Sequence, residues 1–173
     1  MGSELGAERP FERHLIIPNK LDYVRGRGRP DVACILCAVL ARDPQCANLL
    51  IHETERFAVS ANLYPYNPGH IFVFPKAHAL DYRALDEDAA LELHRLLRRA
   101  LDVLDGVYRP HGYNVGWNLG RPGGASIEHI HIHVVPRYPA ELGFMDLVGG
   151  TRMIVEEPAT TVARLRSAFA GEK

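Results

Sequence analysis

No stretch of this chain is apolar for long enough to cross a bilayer: a run such as Ile71 to Phe74 falls far short of the roughly 20 residues a span requires. The opening MGSELGAERP has neither the basic nor the apolar region of a signal peptide, so a cytoplasmic location without a membrane partner is expected. A basic surplus is missing as well. The formal net charge is -1, which argues against DNA or RNA as the main partner and favours a small ligand. Cysteine is scarce, and three residues do not make a disulfide framework. The C-x-x-C spacing of Cys34 and Cys37 reads instead as metal or redox chemistry, which leaves Cys46, after an Asp-Pro turn, as an inert remainder. No repeat of 20 to 50 residues, low-complexity tract or internal linker divides the sequence. A chain of 173 residues that is 47% hydrophobic and 24% charged then reads as one soluble domain with a core of its own.

The expected layout is a mobile polar segment over residues 1–30, a domain over 31–137 and an extension over 138–173 that packs on the same domain. Arg25 to Pro30 form a basic loop; its arginines could steer an anion, although a solvated loop is the plainer reading. Asp31 is expected to cap a short helix across DVACILCAVLAR, with Cys34 and Cys37 on one side of it. Strands are expected at Leu49–His52, Phe57–Ala61, Ile71–Phe74, Gly112–Asn118 and His129–Val135, with NLYPYNPGH as a loop. Asp86 should cap one long helix, in which Leu93, Leu96, Leu97, Ala100, Leu101 and Leu104 recur at helical spacing until Gly106. A short amphipathic helix near Thr161 to Phe169 closes the chain. Several strands and one dominant helix, without regular alternation, predict an α+β fold with an antiparallel sheet of about five strands and short terminal helices.

The most informative stretch is GASIEHIHIHVVPR, residues 124–137. On a strand His129, His131 and His133 share one face, about 6.6 Å apart from one to the next, while Ile130, Ile132 and Val134 point the other way. One face is then core and the other chemistry. With 9 histidines in 173 residues, such a triplet arises by chance in only about two chains in a hundred, so an accidental pattern is the weaker reading. A three-histidine metal site is weaker still, because a straight strand spreads the rings too far for all to meet one ion at about 2.0–2.1 Å. Two could converge, or one could serve a metal while its neighbour does something else.

The segment HIHIHVV resembles the H-φ-H-φ-H-φ-φ signature of the histidine-triad superfamily, and CILC, NLYPYNPGH, FVFPKAH, the long helix and Asn118 followed by Ala125-Ser126 extend the resemblance over roughly residues 31–137. It implies a HIT-like fold and a homodimeric enzyme that cleaves the α-phosphorus bond of nucleotides, most similar to the branch acting on diadenosine polyphosphates. By the same resemblance His131 attacks the α-phosphate to give a covalent nucleotidyl-histidine, and His133 contacts the phosphate or orients His131. An imidazole with an ordinary pKa near 6.5 is neutral at pH 7, so such a nucleophile is available. Ser126, Asn118 and the backbone amides of Gly123 through Gly124 and Ala125 to Ser126 would supply donors to the phosphate; taken alone, the glycines signify only a tight turn.

Many members carry glutamine where this chain has Ala125, which affects leaving-group preference. Asn62 and His70 fall at positions that the family sets against the nucleoside, with Asn62 either on the ribose hydroxyls or simply a turn residue. Leu63, Ile71 and Phe72 are candidates for the base pocket or for core. Zinc-bearing bacterial members imply a Cys34, Cys37, His78 and His129 set, a closed tetrahedral Cys2His2 site of the structural type; buried free thiols are the alternative. His14, His52, His94 and His111 have no such partners by spacing and read as surface or satisfied core residues.

The expected function is therefore a diadenosine tetraphosphate phosphorylase or hydrolase with a structural zinc and no organic cofactor, whose first half-reaction is common to both activities. A nucleoside phosphoramidate hydrolase or nucleotidyltransferase is the neighbouring alternative, a non-catalytic adenylate-sensing module the alternative of another class, and a metal-binding protein without nucleotide chemistry the third.

Overall fold

Alternation along two central strands decides the architecture. The computed structural model describes residues 29–139, 141 and 156–171. Phe57–Ala61 (β2) and Ile71–Pro75 (β3) are buried at every position, so both faces of the sheet are covered. Phe57, Val59, Ala61, Ile71 and Val73 enter the larger core, whereas Ala58, Phe72 and Phe74 enter a second cluster on the opposite face. The other strands are Leu50–Glu53 (β1), Gly112–Trp117 (β4) and Ile132–Arg137 (β5), giving five antiparallel strands in the order β1-β2-β3-β5-β4.

The larger core is closed by the long helix Glu87–Tyr108 (α2) and by Pro158–Gly171 (α3). Asp86 accepts the main-chain N–H of Ala89 at 2.7 Å, and Glu87 and Asp88 complement the helix dipole in the first turn. The helix does not stop at Gly106. It runs on to Tyr108 because Val107 and Tyr108 pack on the core, which offsets the roughly 1 kcal/mol that an internal glycine costs. Arg109 then ends it in the left-handed conformation. Helix α3 is longer than its sequence signal: Thr161, Val162, Leu165 and Phe169 are buried, and Arg166 donates to the Leu50 carbonyl at 2.7 Å on the outer strand.

Among the described residues the second face is covered by the short helix Ile35–Leu40 (α1). Asp31 is not its cap. Cys34 takes the N-cap position in an extended conformation, and Asp31 stays exposed upstream, because Val32 and Cys34 pack against the cluster before the helix begins. β5 also differs from its expected span. It begins three residues late, since the Ile130 N–H donates to the Ala79 carbonyl outside the sheet, and it extends to Arg137, which pairs with Gly112. The segment read as a mobile N-terminus falls outside the described residues up to residue 28, His14, Arg25 and Arg27 among them, as do residues 142–155 of the extension.

Candidate active site

Of the three histidines only His133 lies within β5, opposite Phe72 of β3 and Gly116 of β4. The alternation nevertheless persists upstream. Ile132 and Val134 enter the larger core, while the histidines turn to the face of Phe72 and Phe74. That face is not an open one: His129 and His131 are both buried. The rings also divide. His131 and His133 stand 4.8 Å apart, whereas His129 turns to His78, 4.9 Å away, and to Phe74.

Main-chain partners fix where each ring carries its proton. A carbonyl only accepts, so His131, whose Nδ1 lies 2.8 Å from the His129 carbonyl, must hold its proton on Nδ1 and keep a bare Nε2. Burial lowers the pKa of this ring, with the bond to the carbonyl acting the other way, so the neutral form prevails at pH 7. An amide N–H only donates, so His70, which accepts from Tyr66 N–H at Nδ1 (3.0 Å), carries its proton on Nε2. That Nε2–H points to His133 Nδ1 at 3.0 Å and leaves the His133 proton on Nε2. Tyr66 stacks on His70 at 4.9 Å and holds the ring in plane for this bond. The Asn62 amide oxygen accepts the Tyr64 N–H, and the Asn62 amide nitrogen lies against the His70 ring, 3.3 Å from Nε2 and 3.5 Å from Nδ1.

His131, His133 and Tyr66 line a cleft of about 530 Å³, within the range of small-molecule sites, while His70 stays buried behind it. Ile35, Leu36 and Val39 of α1, with Leu63 and Phe72, make its apolar part; His131, His133, Asn118, Ser126, Arg29 and Arg121 also line it. Ile71 belongs elsewhere, fully buried in the core on the other face of the sheet. The turn before β5 corrects a further expectation. The amides of Gly123 and Ala125 and that of Gly124 donate to the carbonyls of Gly120 and Arg121, so the turn spends these N–H groups on its own closure. Gly124 sits at φ +92°, and Asn118 reaches its carbonyl at 3.5 Å. Ala125 is buried in the wall, and the Ser126 carbonyl accepts from Arg29.

The wall formed by α1, and the approach of Arg29 to the turn, had no signal in the sequence beyond a basic loop. The remaining described histidines are accounted for structurally or lie exposed: His52 stacks on Phe169, His94 binds the Ala90 carbonyl and His111 is exposed. Cys46 is buried and lines the cleft, with burial raising its pKa.

Cys34, Cys37, His78 and His129 gather behind the cleft with all four donor atoms within 4.8 Å of one another. Nδ1 of His129 lies 3.4 and 3.6 Å from the sulfurs of Cys34 and Cys37, and Nδ1 of His78 lies 3.4 Å from Cys37 Sγ. A tetrahedral zinc bound by sulfur and nitrogen has ligand edges of about 3.4–3.8 Å, so these three contacts match such an ion, while the widest separation in the set, up to 4.8 Å, would have to close around it. His129 Nε2 donates to the Pro75 carbonyl at 3.0 Å, which leaves Nδ1 bare and facing the thiols. Burial pushes this ring down to about 4 and, together with the neighbouring Cys34 thiol, pushes Cys37 up to about 11. The cluster could hold a metal ion, whose charge would deprotonate the thiols.

Among the described residues no helix is long and apolar enough to cross a membrane. Over 94 residues the chain is 44% identical to a protein of Mycobacterium tuberculosis named AP-4-A phosphorylase, an alignment that takes in 54% of this chain and 48% of that relative. The chain thus spans about half the length of that relative. It is also 28% identical over 112 residues to an adenosine 5'-monophosphoramidase of Schizosaccharomyces pombe, covering 65% of this chain and 80% of that one. Among solved structures, a zinc-bound histidine triad family protein from Mycobacterium smegmatis superposes with a TM-score of 0.64 at 26% identity, over 80% of this chain and 94% of that chain. The model of the HIT domain matches residues 43–140.

Proposed function

The chain belongs to the HIT family of nucleotide enzymes, and from that premise we propose that it cleaves diadenosine polyphosphates at the α-phosphorus, with diadenosine tetraphosphate as the substrate and phosphate or water as the final acceptor. The observation that carries this reading is the bond from His131 Nδ1–H to the His129 carbonyl, which leaves a neutral ring with a bare Nε2 lining the cleft. In the first step that lone pair forms a bond to the α-phosphorus while the bond to the bridging oxygen breaks, and the nucleoside polyphosphate departs with the bonding electrons. His133 gives its Nε2 hydrogen bond to the departing oxygen, and His70 holds His133 in the tautomer that makes this possible. The positive charge that the ring gains is shared with the His129 carbonyl through Nδ1–H. In the second step an oxygen of the acceptor attacks the phosphorus, the nitrogen–phosphorus bond breaks and its electrons return to His131 Nε2, and where the acceptor is water its proton passes to the solvent.

The likeness to the M. tuberculosis protein supports the polyphosphate substrate, and the likeness to the S. pombe monophosphoramidase supports a second reading, hydrolysis of nucleoside phosphoramidates by the same two steps. Asn62 on the ribose hydroxyls, and Asn118 and Ser126 on the phosphate, belong to either reading. Cys34, Cys37, His78 and His129 are assigned to a structural zinc, which would tie α1 to the strand of the nucleophile. Unpaired thiols of this kind suit the reducing cytoplasm. A homodimer is also proposed, supported by the outer strand β4, where Asn114, Val115 and Gly116 are exposed on a sheet edge that proteins ordinarily cover.

Incubation with diadenosine tetraphosphate, with and without inorganic phosphate, tests the reading. ADP together with ATP appearing only with phosphate identifies a phosphorylase, and ATP with AMP regardless of phosphate identifies a hydrolase; two ADP, which require cleavage at a β-phosphorus, would overturn attack at the α-phosphorus. No product from this substrate, with turnover of an adenosine phosphoramidate, overturns the first reading in favour of the second.

A further inference from the structure

Among the described residues, the charged side chains that line the cleft are of one sign. Arg29 and Arg121 line it, and no aspartate or glutamate does so among the described residues. The turn from Gly120 to Ser126 cannot supply a full nest of amides to an anion, because the N–H groups of residues 123, 124 and 125 are already donated to Gly120 and Arg121. Positive charge for a phosphate chain must therefore come from side chains.

Arg29 is fastened to this turn by its bond to the Ser126 carbonyl. Arg121 stands at the start of the 3-10 turn Arg121–Gly123, and its ion pair with Glu128 is 3.3 Å long between side chains that are 69% and 53% exposed. Such a pair holds its partners weakly, whereas a phosphate offers the guanidinium a bidentate acceptor. From these relationships we infer that Arg29 and Arg121 form a guanidinium pair that binds the phosphates beyond the α-position, and so selects nucleoside polyphosphates over nucleotides that carry a single phosphate. The inference rests on the nucleotide reading of the cleft and names the part of the substrate that the histidines do not touch. The neutral rings of His131 and His133 bind no net charge, so the distal phosphates depend on the two arginines.

Titration calorimetry with ATP and with AMP, in the absence of magnesium, reads this directly and needs no turnover. The wild-type protein should bind ATP more tightly than AMP. Arg29→Gln with Arg121→Gln should lose on the order of tenfold or more in ATP affinity and far less in AMP affinity, bringing the two together. Retained AMP binding shows that the double variant is folded; should it fail to fold, the exposed Arg121→Gln alone must show a smaller loss of the same kind. In steady state, the ratio of kcat/KM for diadenosine tetraphosphate to that for an adenosine phosphoramidate should fall about tenfold. A wild-type protein without preference for ATP, or variants that keep it, overturns the inference. Failure of the wild type to cleave diadenosine tetraphosphate would overturn only the proposed reaction, since the ATP and AMP comparison stands apart from it.

Discussion

His70 and His133, 63 residues apart in sequence, meet at 3.0 Å through Nε2 of one and Nδ1 of the other. Because Tyr66 N–H occupies the far nitrogen of His70, the bond has one direction only, from His70 to His133.

This makes His70 a positioning residue with a kinetic signature. His70→Ala should lower kcat on the order of 100-fold with little change in KM, since the proton of His133 is no longer confined to Nε2. His70→Gln, whose amide can still donate, should recover part of the loss. Equal losses in both variants, or a change confined to KM, would contradict the assignment.

With His131 as the proposed nucleophile, its protonation should set the acid limit of activity. Burial holds the pKa of His131 below its ordinary 6.5, so the ring is neutral above that value and protonates only below it. A profile of kcat/KM against pH should therefore fall on its acid side with a midpoint below pH 6.5. A limb centred at pH 7 or higher would place a different group in control. His131→Asn should abolish turnover, by at least about a thousandfold, and keep the metal content unchanged, because His131 is not among the four clustered donors.

A metal at Cys34, Cys37, His78 and His129 would act as a stabilising ligand of the folded state. Chelation, or Cys34→Ala, should lower Tm by about 5–15 °C, with the metal lost in step as counted by elemental analysis. An unchanged Tm in both experiments would argue that these thiols merely pack.

Gly69 tests the seat of the loop that carries His70. It lies at φ +75°, and a Cβ there would come within 3.0 Å of the Tyr108 ring at both Cδ2 and Cε2. Gly69→Ala combines a strained backbone with a clash and should cost about 2 kcal/mol, a fall in Tm of roughly 4–8 °C. Thermal unfolding that matches the wild type would show that the loop yields freely.

Much of this was legible in local pattern. The alternation around His129, His131 and His133 announced the shared face of these rings, Asp86 the start of α2, and the C-x-x-C spacing two of the four clustered donors. What escaped was set by distant partners. β5 begins late because of the Ala79 carbonyl, and α1 begins late because Val32 and Cys34 are needed in the second core. The glycines of the turn suggested a nest of amides, but φ alone does not say whether such amides face a ligand or close on themselves. Arg29 takes its place through the Ser126 carbonyl, 97 residues away in sequence.

The protons of His129, His131 and His70 are each assigned by a main-chain group: the Pro75 carbonyl, the His129 carbonyl and the Tyr66 amide. No substitution at those three neighbouring side chains removes the group that does the assigning, apart from proline at position 66. The acid–base programme of the cleft is therefore written into the path of the chain. Descendants of this sequence can drift in side chains around the histidines and keep the same chemistry for as long as the backbone holds its course.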